Sequence, residues 1–248
     1  MTKIAIIGGS GLENPEILQN AERKNVQTPY GDPTSDFICG LIGQTEVVLL
    51  SRHGRDHSIT PSHVNNRANI YAIKQLGCTH ILATTACGSL RENIGRGDLV
   101  IPDQFIDFTR HRPVTFYESF IPGEMNHTPM ADPFDHYLRD KLSAAGRELG
   151  KNLHPTGCIV TIEGPRFSTR AESRMFRLWG GDMINMSTAP ECILANELGI
   201  PYAAIAMATD YDSWKEDETP VSWEEILKVF GQNVHNVINL LLQVIPTI

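Results

Sequence analysis

The segment AIAMATDYDSW, residues 204–214, places two carboxylates, Asp210 and Asp212, on either side of Tyr211, directly after small apolar residues from Ala204 to Ala208. A carboxyl group at the end of a buried strand, next to a second acid, should have its pKa raised by desolvation and by like-charge repulsion. Held protonated near neutral pH, it can give a proton to a leaving group. Acid pairs more often stand in solvated turns, so the alternative is a polar cap on the loop that continues into SWKEDE.

Four other clusters follow apolar runs. In IIGGSGL, the glycines from Gly8 onward expose backbone N–H groups able to cradle an anion, and Ser10 adds a hydroxyl. A tight turn that needs glycine is the plainer reading. No third glycine completes a dinucleotide fingerprint, and the GK[ST] ending of a P-loop is missing. LLSRHGRDH sets Arg52 and His53 behind a strand, with Gly54 for close approach. The rigid arginine fork and the ring donor suit phosphate oxygens, unless Arg52 is a surface residue paired with an acid. His57 and His63 read as loop or packing residues.

ATTACGSL turns sharply after an apolar strand and offers backbone amides and the Thr85 hydroxyl. Without GxSxG or a nearby histidine, Cys87 reads as a small buried residue near a site, not as a nucleophile. TIEGPRFST breaks a strand at Glu163, Gly164 and Pro165, and Phe167 offers a flat face to a planar ligand. The same stretch can open a helix, with Ser168 or Thr169 as cap and Glu172 completing the box.

The elements that must carry these clusters alternate along the chain. Apolar runs of strand length stand at Lys3–Ile7, Glu46–Leu50, His80–Ala83, Leu99–Pro102, Gly157–Thr161, Met183–Asn185 and Tyr202–Ala208. Helical spacing appears in Asn65–Leu76, in Asp132–Leu149 with an Asp cap before Pro133, and in Ala189–Leu198 with Gly199 just beyond. A last helix runs from about Ser222, which with Glu225 makes a capping box, and carries Ile226, Phe230, Val234, Val237 and Leu241. Strands alternating with helices predict one α/β domain, residues 1–248, on a largely parallel or mixed sheet. The tract from Asp107 to Ala131 is irregular and long enough for a lid or a subunit contact.

A length of 248 residues with 41% hydrophobic and 20% charged residues is ordinary for a globular domain with a substantial core. The net charge of −8, with no basic block, argues against nucleic-acid and acidic-membrane partners. MTKIAIIGGSG passes straight into a strand and reads as neither a signal peptide nor a membrane span. Five cysteines without a CxxC pair suggest reduced thiols in a cytoplasmic protein and give no support for zinc.

Taken in order, GGSGL, RHGR, NNRAN, TTACGSL, EGPRFST, INMSTAPE and AMATDYD resemble the purine nucleoside phosphorylase family, in its 5'-methylthioadenosine phosphorylase branch, from Gly8 to at least Asp212. The resemblance implies a homotrimer whose single domain has a mixed, partly barrel-like sheet sandwiched by helices. It implies phosphate-dependent cleavage of the N-glycosidic bond of 5'-methylthioadenosine, giving adenine and 5-methylthioribose 1-phosphate in methionine and purine salvage. No cofactor or metal is implied; inorganic phosphate is a co-substrate.

Carried onto matching positions, Ser10, Arg52, His53, Thr85, Ala86 and Ser187 resemble the phosphate site. Met186 would touch the ribose, Phe167 would flank the purine, and Cys87 and Gly88 would line the nucleoside site. Asp210, Tyr211 and Asp212 would meet the purine edge, with Asp210 donating to N7 and Asp212 accepting from the 6-amino group. Ser168 and Trp223 occupy positions that tune substrate choice, and His127 matches a histidine that reaches a neighbouring subunit's site; an exposed loop histidine is the alternative. Ser10 and Ser187 stand where threonine is common, and Asn66 replaces an aromatic in a way that bears on a subunit contact. The chain ends at VIPTI, shorter than relatives whose last helix helps close a 5' pocket, which bears on selectivity for a methylthio group over a hydroxyl. Competing readings are a broader phosphorylase accepting adenosine or 5'-methylthioinosine, a hydrolytic nucleosidase, and a non-catalytic nucleoside-binding protein.

Overall fold

Strand β1 (Lys3–Gly8) shows how the sheet is covered: Ile4 and Ile6 face one side and Ala5 and Ile7 the other, all of them buried. A strand buried on both faces reads as a continuous apolar run, which is why this one is legible in the sequence. The computed structural model describes residues 2–9, 17–217 and 223–248, the last without the side chains of 223–230 and 232.

Strands β2 (Gln19–Lys24), β3 (Phe37–Ile42) and β4 (Thr45–Ser51) precede α1 (Asn66–Gln75) and β5 (His80–Ser89). Then come β6 (Leu99–Val100), β7 (Gln104–Phe108), α2 (His136–Glu148), β8 (Leu153–His154), β9 (Cys158–Ile162) and α3 (Arg170–Leu178). The order closes with β10 (Met183–Asn185), α4 (Thr188–Glu197), β11 (Tyr202–Asp210) and α5 (Trp223–Val244).

The mixed, partly barrel-like sheet takes the form of a fork at β5. One path runs β2-β3-β4-β1-β5-β10-β9-β7, and β11 also pairs with β5, leading on to β6 and β8. Strands β1, β4, β5 and β11 are mutually parallel, so their carboxyl ends share one edge. Leu138, Leu142, Val237, Leu240 and Leu241 of α2 and α5 pack on one face with Ile4, Ile6 and Leu49. Ile70, Ile73, Leu194 and Ala195 of α1 and α4 pack on the other with Ile7, Leu50 and Ala83. Among the described residues, no helix is long and apolar enough to cross a membrane.

Several boundaries differ from the sequence reading, each for a physical reason. ATTACGSL does not turn after Ala83: β5 continues to Ser89 because parallel partners on β11 accompany it from Ile81 to Gly88. Helix α2 begins at His136, not Asp132, because the side chain of Asp135 accepts from the Leu138 N–H at 2.9 Å. Strand β2 is exposed along its whole length and carries no apolar signal, and β8 has only two residues. Strand β6 stops at Val100, short of Pro102. Thr169, not Ser168, caps α3, and its capping box with Glu172 is formed in both directions. The expected Ser222–Glu225 box lies outside the described residues.

Candidate active site

The shared strand edge opens into a cavity of about 430 Å³. Arg52 and His53 arrive from the end of β4, Thr85 to Gly88 from the second half of β5, and Asp210 and Asp212 from the end of β11. Strand β10 runs antiparallel to β5 and returns Asn185, Met186 and Ser187 alongside Thr85. Phe167 and Ser168, after β9, form part of the wall, and Phe167 stays half-exposed.

At one end of the cavity, hydroxyls converge around a buried cation. Thr85 Oγ1 lies 3.3 Å from Ser187 Oγ and accepts from Asn185 Nδ2 at 3.1 Å. Asn185 is itself fixed by Thr161 Oγ1 at 2.8 Å and by Thr188. Arg52, only 2% exposed, donates Nε and Nη2 to the two carboxylate oxygens of Glu191, the latter at 3.1 Å, and Nη1 to the Thr84 carbonyl at 2.9 Å. Tyr202 Oη donates to Glu191 at 2.9 Å from the far side. A guanidinium carries five N–H donors, so this cradle leaves two for a ligand. Burial works against the charge on Arg52, but Glu191 more than offsets it and holds the group above its ordinary value. His53 Nδ1 lies 2.9 Å from the Ile59 carbonyl, which can only accept, so Nδ1 carries the proton.

At the other end the register of β11 against β5 shifts between Ala208 and Asp210, a bulge that re-aims the strand tip. Asp210 Oδ1 accepts from Thr209 Oγ1 at 2.7 Å, and Oδ2 accepts from the Asp212 N–H at 2.9 Å. Asp212 has φ +48°, an uncommon left-handed backbone that short polar residues tolerate. Its Oδ1 accepts from Ser168 Oγ at 3.3 Å, while Oδ2 is buried without a well-formed hydrogen bond among the described residues. The Asp212 carboxyl is held above its ordinary value. Burial drives it, the Ser173 hydroxyl, the Ser213 amide and the Ser168 hydroxyl oppose it, and Asp210 adds a smaller upward push. Gly88 makes room for both acids, since a Cβ there would stand 3.1 Å from Asp210 Oδ2 and from the Asp212 Cβ.

With this geometry stand the relatives. Residues 3–246 match the family model described as the phosphorylase superfamily. The chain belongs to that superfamily. This phosphorylase is 55% identical to the S-methyl-5'-thioadenosine phosphorylase of Xenopus tropicalis and 53% identical to that of Danio rerio, each match covering 99% of this chain and 89% of the relative. It is also similar to the solved structure of methylthioadenosine phosphorylase from Schistosoma mansoni in complex with adenine, with a TM-score of 0.94, 41% identity, and 100% and 92% of the two chains covered. A mutant of the adenosine/methylthioadenosine phosphorylase from the same organism, in complex with methylthioadenosine, superposes with a TM-score of 0.93 at 41% identity, over 100% of this chain and 91% of that one.

In this phosphorylase the cavity gathers Arg52, His53, Thr85, Ala86, Cys87, Gly88, Phe167, Ser168, Met186, Ser187, Asp210 and Asp212 from among the residues singled out in the sequence. Tyr211 is not among the lining residues. It follows the end of β11 and opens a helical turn at Asp212–Trp214, and its ring instead meets Trp214 edge-on, with Lys215 Nζ 4.1 Å above it. His57, read as a loop residue, lines the cavity. His127 is exposed, away from this cavity, with its ring 5.5 Å from Phe120. Ser10 and the side chain of Trp223 lie outside the described residues. Burial pushes the Cys87 thiol up to about 12, which removes the thiolate a nucleophile needs. Among the described residues, no group of three or more His, Cys, Asp or Glu side chains is placed to hold a metal ion. The sequence reading missed Asn185, Thr209 and Glu191; Glu191 acts on Arg52 from 139 residues away, beyond the reach of any local motif.

Two outcomes are expected. Glu191→Gln leaves Arg52 as an uncompensated buried charge, so stability should fall by about 3–5 kcal/mol, the usual effect of breaking a buried pair from one side. Added phosphate should then raise the melting temperature of the variant more than that of the wild type; an equal rise would separate Arg52 from the anion. The raised Asp212 value means that its stabilising contribution is fully present below the ordinary Asp value of 3.8 and is lost as pH rises through the folded value. Asp212→Asn should therefore make the ligand-free protein more stable than wild type at neutral pH, with the advantage shrinking on acidification, as thermal melts across pH would show.

Proposed function

We propose that this chain is a phosphate-dependent enzyme that cleaves S-methyl-5'-thioadenosine to adenine and 5-methylthioribose 1-phosphate. The observation that carries this reading is the pair of carboxylates, Asp210 and Asp212, lining one cavity together with Arg52, Thr85 and Ser187. A carboxylate at a cavity wall favours an N–H donor from the ligand. The 6-amino group of adenine is such a donor, whereas a 6-oxo purine would bring a lone pair to the same place. The relatives' names point the same way.

In this mechanism Arg52, Thr85 and Ser187 hold hydrogen phosphate below the sugar, with Ser10 and the adjoining glycine turn as further donors. Met186 packs against the ribose and Phe167 against the purine face. As the bond from C1' to N9 breaks, its electron pair passes to the purine and positive charge develops at C1'. The held anion stabilises that charge, and a phosphate oxygen closes the new bond to C1'. Asp210 gives a proton to N7 so that the base leaves neutral, and the proton released by hydrogen phosphate restores Asp210. Phosphate is a co-substrate, and the mechanism uses no cofactor.

The working form we propose is a homotrimer in the cytoplasm. Phe120, Ile121 and Met125 are exposed on the segment that carries His127, an apolar patch suited to a neighbouring copy, and the five cysteines are unpaired. Purified protein incubated with methylthioadenosine, adenosine and inosine, each with and without phosphate, should release adenine only with phosphate and scarcely turn over inosine. Asp210→Asn should slow adenine release by about 10²–10⁴-fold, the usual contribution of a general acid. Release without phosphate, or an unchanged Asp210→Asn rate, would overturn the proposal.

A further inference from the structure

Arg112 belongs to no regular element, yet its side chain is only 3% exposed. It enters from the irregular segment that follows β7 and reaches behind the cavity wall. Nη1 donates to the Met186 carbonyl, and Nη2 donates to the carbonyls of Glu163 at 2.5 Å and Ile162 at 3.4 Å. Nε donates to Glu163 Oε1 at 3.2 Å. The clasp is reciprocal, because Glu163 Oε2 accepts the backbone N–H groups of Arg110 at 2.6 Å and His111 at 3.2 Å.

The two strand ends tied by this fork, on the paired strands β9 and β10, carry adjoining walls of the nucleoside site. Ile162 and Glu163 lead through Gly164 and Pro165 to Phe167 and Ser168, and Met186 leads to Ser187. The two walls are also in close contact: a Cβ on Gly164 would stand 2.5 Å from the Met186 sulfur. Without a buried cation between them, the carbonyls of Ile162, Glu163 and Met186 would face one another with no donor. The phosphate end shares Ser187 with this clamp but has further ties of its own, the Arg52–Glu191 pair and the Asn185–Thr85 bond.

We infer that Arg112 is a positioning residue that sets the width of the nucleoside slot, by clamping the Phe167-bearing segment to the Met186-bearing one. It touches no reacting atom and acts through the two walls. The inference rests on the phosphorolysis reading above, and it ranks the two substrates: the nucleoside should sense the clamp more strongly than phosphate, whose Arg52 and Thr85 have other partners. Burial pushes the Arg112 guanidinium down from its ordinary value, with Glu163 opposing, as expected for a cation held for its geometry.

The test is steady-state kinetics on Arg112→Ala and Arg112→Lys, with adenine binding measured by calorimetry so that one readout does not need turnover. Arg112→Lys keeps the charge and most of the stem but loses the fork, and it serves should the alanine variant fail to fold. For both, KM for methylthioadenosine and Kd for adenine should rise by about tenfold to a hundredfold, the scale of an ångström-sized misplacement. KM for phosphate should rise clearly less, because Arg52 and Thr85 are held by other partners. Low-millimolar methylguanidinium should restore part of the adenine affinity of Arg112→Ala and leave the wild type unchanged. Parallel rises in both KM values, an unaltered nucleoside KM and Kd, or no rescue would overturn the inference. A wild-type protein that releases no adenine with phosphate would instead fail the functional reading, while the adenine Kd values would still judge the clamp.

Discussion

The ion pair between Arg52 and Glu191 is the constraint on which the rest of the site depends. A guanidinium at 2% exposure stays charged and is costly among apolar strands without a partner, and an anion that comes and goes with each turnover cannot be that partner while the site is empty. Glu191, on α4, fills the role permanently, and Tyr202, at the start of β11, fixes its other face. The pair thereby links the end of β4 to a helix and a strand far along the chain. Because the charges balance within the fold, the remaining N–H groups of Arg52 stay directed by the cradle and ready for an incoming oxyanion.

The acidic end follows the opposite logic. Asp210 is supplied with donors by Thr209 and by the Asp212 amide, whereas Asp212 keeps one oxygen dry and without a well-formed hydrogen bond among the described residues. Its left-handed backbone and its raised carboxyl value are both costs to the fold, and both are found at the place where a ligand would relieve them. The two ends can face each other across one cavity because β5 runs six residues beyond Ala83, carrying Thr85 to the anion end and Gly88 to the acids. A single long strand therefore sets the distance between the two chemistries.

What the sequence made legible was what local pattern encodes. Strands covered on both faces, such as Lys3–Ile7 and Tyr202–Ala208, announce themselves as unbroken apolar runs, and the strand-end clusters Arg52–His53, Thr85–Gly88 and Asp210–Asp212 converge as such a sheet requires. The far half of β5 was hidden because TTACGS is small and polar, and only its pairing with β11 makes it a strand. Pro133 after Asp132 imitated a helix start that Asp135 provides. Tyr211 was drawn into the site by its neighbours, although the turn after β11 sets its ring against Trp214. Glu191, Asn185 and Arg112 were invisible for a common reason: each is defined by partners at least three residues and mostly dozens of residues distant, and buried polar partnerships of that kind leave no periodic trace.

The central claim is that one cavity holds an oxyanion on Arg52 and a 6-aminopurine against Asp210 and Asp212 at the same time. Its most direct test is a crystal structure of the protein with phosphate and adenine both bound. The account predicts phosphate oxygens within hydrogen-bonding distance of Arg52, Thr85 and Ser187, with the adenine amine on the Asp212 carboxylate and N7 facing Asp210. Adenine bound away from the two acids, or phosphate held without Arg52, would contradict it.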